Sequence, residues 1–236
     1  MAINEGITAE KLGYLRDSTI FQDLATDEID TLGKRTPMQW MEAGTIFYSP
    51  EQSAQVLFIL KKGRVRIYRM SEEGKVLTIA MLEAGTIFGE MAILGQQLHE
   101  GYAEAVSRCL LCMMSREDVK TLLLSDPRVA FRVAEVMGQR LIATERRLSD
   151  FAFKSLSQRL AGLLLQLQQP PRKRLFRGDA PMEVPYTHEI LAEMVGTHRE
   201  TITKILNVFQ DQQLIELRRG RVLILDSDGL QQRSGG

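Results

Sequence analysis

From about Met41 to Met114 the apolar positions fall in short runs set between turn residues. Residues 56–60 (VLFIL) are one such run, closed by Lys61-Lys62-Gly63. Residues 64–69 (RVRIYR) then alternate polar and apolar with a period of two, the pattern of a half-buried strand. Ser71-Glu72-Glu73-Gly74-Lys75 reads as a turn and residues 76–82 as the next strand. Strands this short at this spacing predict an all-β sandwich or barrel. The hexapeptide EAGTIF occurs twice, at residues 42–47 and 83–88. Similarity stops at these six residues, whereas a duplicated unit would extend over about 20 or more. The expectation is one turn chemistry used twice: Ala-Gly makes a tight turn with an unusual glycine φ, and β-branched Thr-Ile enters a strand.

The period lengthens at Ser125-Asp126-Pro127. Ser125 is expected to cap a helix that takes the proline in its first turn and runs to about Phe151. Ala130, Ala134, Met137, Leu141, Thr144, Leu148 and Phe151 are spaced 4, 3, 4, 3, 4, 3, a heptad seam for pairing with a copy of the same helix. Val129, Val133 and Val136 form a second stripe, expected to face the β region. One broad core-facing stripe in a monomer is the alternative, and the presence of two apolar faces favours the dimer. Another amphipathic helix is expected over residues 156–168, broken by the basic, solvated loop Pro170-Pro171-Arg172-Lys173-Arg174. The final Ser-Gly-Gly reads as a frayed tail.

Residues 186–225 (YTHEILAEMVGTHRETITKILNVFQDQQLIELRRGRVLIL) carry the most chemistry. Thr187 is placed to cap a short helix with Ile190, Leu191, Met194 and Val195 as its apolar face, and Gly196 stops it. Thr197 is expected to cap the next helix, with Thr197-x-x-Glu200 matching a capping box. At about 100° per residue from Arg199, the apolar Ile202, Ile205, Leu206 and Phe209 lie between about 240° and 340°. Arg199, Glu200, Thr203, Lys204 and Asn207 lie between about 0° and 140°. Two helices joined by a glycine turn, the second divided in this way, predict a helix-turn-helix with a recognition helix. Arginine bonds guanine O6 and N7 together, glutamate accepts from cytosine N4, and lysine donates to guanine or phosphate. Arg199, Glu200, Thr203 and Lys204 are therefore candidate DNA contacts, with Thr197 and His198 beside them at the turn. Residues 214–217 and 222–225 flank Arg218-Arg219-Gly220-Arg221 as a hairpin with a basic tip, a wing whose Arg219 and Arg221 suit phosphates. Glu200 has a second reading as the capping-box acid alone and Lys204 as a solvated lysine, while nothing local calls for Arg199.

Composition narrows the setting. With 236 residues, 44% of them hydrophobic and 25% charged, the chain has room for two modest domains with real cores. No apolar run approaches the ~20 residues of a membrane span and the N-terminus lacks a signal peptide's apolar centre, so a cytoplasmic chain with no membrane partner is expected. The formal charge of zero divides unevenly: residues 1–150 carry 18 basic and 21 acidic side chains, residues 151–236 carry 12 and 9. A mildly basic back half is compatible with nucleic acid. Cys109 and Cys112, three apart in a predicted strand, point to opposite faces and read as core residues, not as a chelating pair. His99, His188 and His198 are too scattered to suggest a metal. No catalytic group, metal or cofactor is expected.

A β-roll, a long dimer helix and a winged helix-turn-helix, in that order, resemble the cyclic-AMP receptor protein/FNR family of bacterial transcription regulators. The likeness runs from about Leu15 to Asp226 and is carried by Gly63, GTIFGEMAIL (85–94), RLIATERRLSDFAF (140–153) and VGTHRETITKIL (195–206). It implies an α+β chain with a jelly-roll domain over residues 1–124, a dimerisation helix and hinge over 125–152, and a winged helix-turn-helix domain over 153–236. It implies a homodimer on near-palindromic double-stranded DNA, with Met137, Leu141, Thr144, Leu148 and Phe151 at the interface, acting as an activator that contacts RNA polymerase. By matching positions, Arg199, Glu200 and Lys204 read a half-site and Thr187 meets a phosphate. The family more often has arginine at the place of Lys204, and lysine lacks its bidentate fork.

The resemblance departs at the pocket. In cyclic-AMP-binding members a Gly-Glu opens a phosphate-binding cassette, its glutamate taking the ribose hydroxyl and a later Arg-Ser pair the cyclic phosphate. Gly89-Glu90 is present, but no arginine or lysine occurs from Glu90 to Val106, and the family's arginine position falls at or near Glu100. A carboxylate there repels phosphate. Thr144 matches a residue that reaches the adenine, beside Glu145 instead of a small hydroxyl residue. Three readings stay open, in this order: no effector is needed, a different ligand sits among Gly89, Glu90, His99, Glu100 and Thr144, or a cyclic nucleotide binds through backbone N–H groups. An internal ion pair is the other role for Glu90. The family's iron–sulfur members use an N-terminal cysteine cluster that this sequence lacks. Two further classes compete: a cupin-like enzyme, which needs a His/Glu metal cluster and finds only His99, and a nucleotide-sensing interaction module without salt-dependent DNA affinity.

Overall fold

The computed structural model describes residues 19–51, 56–89, 101–170 and 181–235. The chain divides into two compact units, Met1–Glu73 with Ile79–Ile142 and Gly74–Thr78 with Ala143–Gly236. In the first, a 3-10 turn (Thr19–Phe21) and α1 (Thr26–Arg35) precede β1 (Met38–Met41), β2 (Ile46–Tyr48), β3 (Val56–Lys62) and β4 (Arg64–Met70). β5 (Val76–Glu83), β6 (Ile87–Phe88), β7 (Tyr102–Ala105) and β8 (Cys109–Ser115) follow, then α2 (Arg116–Ser125) and α3 (Pro127–Phe153). The strands form two sheets, ordered β1-β8-β3-β6 and β2-β7-β4-β5.

β3 and β8 read as unbroken apolar runs because their sheet is covered on both faces. Leu57, Ile59, Cys112 and Met114 pack with Ile20, Phe21, Ile29, Val119 and Val129 beneath the helices. Phe58, Leu60, Cys109 and Leu111 point the other way, into the core with Val65, Phe88 and Ala103. There Phe58 stacks on Phe88 with ring centroids 4.8 Å apart. The two cysteines are buried, free and on opposite faces, as their spacing predicts.

Both EAGTIF copies make the same corner. Gly44 and Gly85 take φ of +85° and +94°, and in each turn the threonine amide and hydroxyl donate to the glutamate carbonyl three residues back. Each glycine amide then donates to a strand carbonyl, Ala105 at 2.7 Å and Leu60 at 2.8 Å. The amides of Ala105 and Leu60 return the bond to the threonine carbonyls, both at 2.9 Å.

The start of α3 differs from expectation by one residue. Asp126, not Ser125, caps it, its Oδ1 accepting the Arg128 amide at 2.9 Å. Ser125 is spent as the last residue of α2, its hydroxyl donating to the Leu122 carbonyl. Along α3, Val129 is buried and Val133 and Val136 pack on the β-roll core. Met137 joins them, so this seam residue is drawn partly inward, because it lies at the border between the two stripes. The Arg140 guanidinium donates to the Ile87 carbonyl. Leu141 and Leu148 remain 61% and 70% exposed.

The second unit continues from the end of α3 into α4 (Leu156–Leu167), β9 (Met182–Val184), α5 (His188–Val195) and α6 (Arg199–Asp211). β10 (Ile215–Arg218), β11 (Arg221–Ile224) and α7 (Ser227–Arg233) complete it. β9 joins the hairpin in a sheet ordered β10-β11-β9. The tail is not frayed at Ser234. Asp226 caps α7, Leu230 is fully buried, and the buried Ser234 hydroxyl donates to the Gln231 carbonyl at 2.7 Å.

Gly63 has φ +91°, and a Cβ there would stand 2.5 Å from the Arg108 carbonyl oxygen and 2.7 Å from Cys109 Sγ. Gly74 has φ +79° but open space around it. Gly63→Ala is therefore expected to cost about 3 kcal/mol or more and Gly74→Ala about 1 kcal/mol, read from urea unfolding midpoints at constant m-value.

Candidate nucleic-acid interface

α5 begins at Thr187, whose hydroxyl accepts the Ile190 amide at 3.3 Å, and ends at Gly196 in the left-handed region with φ 72°. The Thr197 amide closes that end by donating to the Ala192 carbonyl at 3.0 Å. Thr197 therefore still belongs to the turn, and the expected capping box does not form. His198 is the N-cap of α6 and makes no side-chain capping bond. The box spacing then puts Thr201, not Glu200, at the third helical position, so Glu200 has no capping duty.

On α6, Ile202, Leu206 and Phe209 are fully buried and Ile205 is half-buried, while Arg199, Glu200, Lys204 and Asn207 are exposed. The angular sort drawn from the sequence matches this division. Among the described residues the side chains of Arg199, Glu200 and Lys204 make no hydrogen bond or ion pair, leaving one polar face unspent. Thr203 is half-buried and already engaged: its hydroxyl donates to the Arg199 carbonyl at 2.9 Å and lies 3.0 Å from His188 Nδ1. With the hydroxyl hydrogen committed, its oxygen accepts, and this network puts the imidazole proton on Nδ1. Sequence reasoning had no role for His188, which here ties the first residue of α5 to the first turn of α6.

In the wing, Arg218 pairs with Arg221, leaving Arg219-Gly220 as a two-residue turn with Gly220 at φ 73°. Arg221 Nη1 lies 2.9 Å from Oε2 of the buried Glu183 on β9, and Arg218 pairs with Glu216 at 2.8 Å. Arg219 at the tip has no side-chain partner among the described residues. The wing, Arg199, Thr187 and His188 line a concavity of about 470 Å³ with four arginines and one acid, Glu189. Such a concavity suits an oxyanion.

The other expected site residues are placed as follows. Gly89 is buried at φ +85°, where a Cβ would come 2.5 Å from the Val56 carbonyl oxygen, so close packing of β6 on β3 already requires glycine. Glu90, His99 and Glu100 lie outside the described residues. Thr144 lies on the exposed side of α3 with Leu148 and Phe151, the last 44% exposed. Among the described residues no three His, Cys, Asp or Glu side chains converge on a metal-sized site, and no helix is long and apolar enough to cross a membrane.

Comparison with known proteins gives two matching domain families. Residues 38–126 match a cyclic nucleotide-binding domain and residues 158–233 a Crp-like helix-turn-helix domain. The chain is 28% identical over 223 residues to the cyclic AMP receptor protein of Thermus thermophilus, covering 94% of this chain and 99% of that one. It is 29% identical over 218 residues to a CRP-like cAMP-activated global transcriptional regulator of Mycobacterium tuberculosis, covering 91% and 96%. A solved structure of a CRP/FNR-family transcriptional regulator from Thermus thermophilus superposes with a TM-score of 0.71 at 28% identity, covering 85% of this chain and 99% of that one.

Burial first, and then the charge of Arg199, hold His188 below its ordinary pKa of 6.5. A base with a lowered native pKa leaves stability full above the unfolded value and erodes it as pH falls through about 6.5 toward the native one. His188→Asn keeps an amide donor for Thr203 and removes the titration. Its unfolding free energy is expected to fall less than wild type's between about pH 7 and pH 5, measured by urea unfolding across that range. Identical pH slopes would remove His188 from this role.

Proposed function

The chain belongs to the cyclic-AMP receptor protein/FNR family of transcription regulators, and from that premise we propose that it acts as a homodimeric activator on near-palindromic promoter DNA. The observation that carries the reading is the unspent face of α6, Arg199, Glu200 and Lys204, beside the arginine-lined concavity. Arg199 would take guanine O6 and N7, Glu200 a cytosine amino group, and Lys204 a guanine or a phosphate. Thr187 and Arg219 would hold backbone phosphates and set the register. Thr203 and His188 would act beneath that face by fixing the Arg199 backbone. His198 and Thr197, at the turn, and Arg221, held by Glu183, would contribute at the rim.

The exposed row of Leu141, Thr144, Leu148 and Phe151 supports pairing of α3 with its copy in a second chain. Two-fold symmetry would then place two recognition helices in successive major grooves about 34 Å apart. Contact with RNA polymerase in the bacterial cytoplasm would complete the activator's role.

The matched cyclic nucleotide-binding domain fits gating by an effector. The stretch from Glu90 to Val106 holds no arginine or lysine for a cyclic phosphate. Activity without cyclic AMP is therefore the first reading, and a different small ligand, or a nucleotide held by backbone amides, the second.

Titration of inverted-repeat DNA tests the whole reading. Tight binding is expected without added nucleotide, and addition of cyclic AMP should leave it unchanged. Arg199→Ala should lose about 1–3 kcal/mol of discrimination per half-site at one base pair. Arg219→Ala should weaken all sequences alike and lower the salt slope by about 0.9 per half-site. Undiminished, unselective binding by Arg199→Ala would defeat the base-reading role. Leu148→Glu is expected to sediment as a monomer and to lose more DNA affinity than either contact variant; a dimer retaining full affinity would defeat the α3 interface.

A further inference from the structure

His188 is the first residue of α5 and stands on the wall of the arginine-lined concavity. One edge of its ring is committed, since Nδ1 lies 3.0 Å from the Thr203 hydroxyl oxygen, whose own hydrogen goes to the Arg199 carbonyl. The neutral ring therefore carries its proton on Nδ1 and a bare lone pair on Nε2. Among the described residues no donor meets that lone pair. The residue is half-buried and not sealed off from an entering group.

The charges that face this ring come from three elements. Arg199 stands on α6, and Arg218, Arg219 and Arg221 stand on the wing. Glu216 pairs with Arg218, and the buried Glu183 of β9 pairs with Arg221. Glu189, on α5 itself, is the one acid in the lining. α4 carries a single charged residue, Arg159, which stacks on Phe151 instead. An imidazole set among arginines is disfavoured as the cation, and burial together with the Arg199 charge lowers its pKa. A phosphate reverses that field. Its charge favours the imidazolium, whereas a bare lone pair on Nε2 would repel its oxygens.

We propose that a DNA backbone phosphate seated in this concavity accepts a hydrogen bond from Nε2–H of the His188 imidazolium, so that the chain takes up a proton from solvent as it binds. The inference rests on the DNA-binding reading and adds a proton to it. Thr203 is the positioning residue, because its hold on Nδ1 denies the neutral ring the tautomer that could donate from Nε2. Binding then raises the pKa of the imidazole. Affinity climbs as pH falls from the bound value toward the free one, and is level above the first and below the second.

Fluorescence anisotropy of the full chain on an inverted-repeat duplex, at constant ionic strength, tests this. Affinity is expected to rise about tenfold or more from about pH 8 to about pH 6. Calorimetry at about pH 7 in two buffers of different ionisation enthalpy should register net proton uptake on binding. His188→Asn, which keeps an amide donor for Thr203, should abolish the uptake and flatten the pH profile. Thr203→Val should shrink both, because the freed neutral ring can carry its proton on Nε2, an effect that lost packing alone would not produce. His198→Gln should keep the slope of the profile, which assigns it to His188 and not to the histidine at the turn. A flat wild-type profile with binding intact overturns the proton step and leaves the DNA-binding reading standing. So does a His188→Asn profile as steep as wild type's. Absence of binding at every pH overturns both.

Discussion

α3 carries more apolar surface than the described residues cover. Val129, Val133, Val136 and Met137 close the bottom of the β-roll core, and the Arg140 bond to the Ile87 carbonyl holds the helix to β6. Turning further round the same helix, Leu141 and Leu148 stand in solvent, and Phe153 near its end is 85% exposed. A helix cannot rotate to hide both stripes, because its first is already fixed by packing and by clamps at its start. Arg128 there bonds Asp126 and Glu28, and Arg132 bonds Asp23. The proposed homodimer, and with it the proposed symmetric DNA site, rests on this surplus.

Much of the architecture was legible because it rests on periods and single-residue requirements. The angular sort of α6 needed only the helix repeat and returned its buried set, Ile202, Leu206 and Phe209. The opposite placement of Cys109 and Cys112 needed only the strand repeat. EAGTIF was legible as a corner because a positive glycine φ and a threonine hydroxyl are local chemistry. Its closing bonds to Ala105 and Leu60 are not local, and the hexapeptide alone does not name them.

What escaped the sequence depends on where a group's partner comes from. Thr197 looks like a cap when only the following helix is considered, yet its amide is claimed by the helix before it. Ser125 reads as a cap for the same reason, since it ends α2 one residue before Asp126 caps α3. β9 has three residues and no alternation to detect, and its distant pairing with β11, together with the Glu183 bridge to Gln169, makes it a strand. His188 is fifteen positions from Thr203, and no spacing rule links an imidazole to a hydroxyl across a helix-turn-helix. Of the wing arginines, similarity of type concealed a difference in state: Glu216 holds Arg218, Glu183 holds Arg221, and Arg219 projects from the turn.

The two cysteines have a practical consequence. Cys109 lies against the Gly63 backbone with no room for even one added methyl group, and burial pushes its thiol pKa upward. Cys112 is equally enclosed on the other side of the sheet. Neither presents a thiolate to a reagent while the β-roll is folded. A single cysteine introduced on an exposed face of α3 or α6 would thus be the reactive thiol of the native chain. Spin labels or fluorophores for measuring distances across an assembly could then be attached without first removing the natural sulfurs.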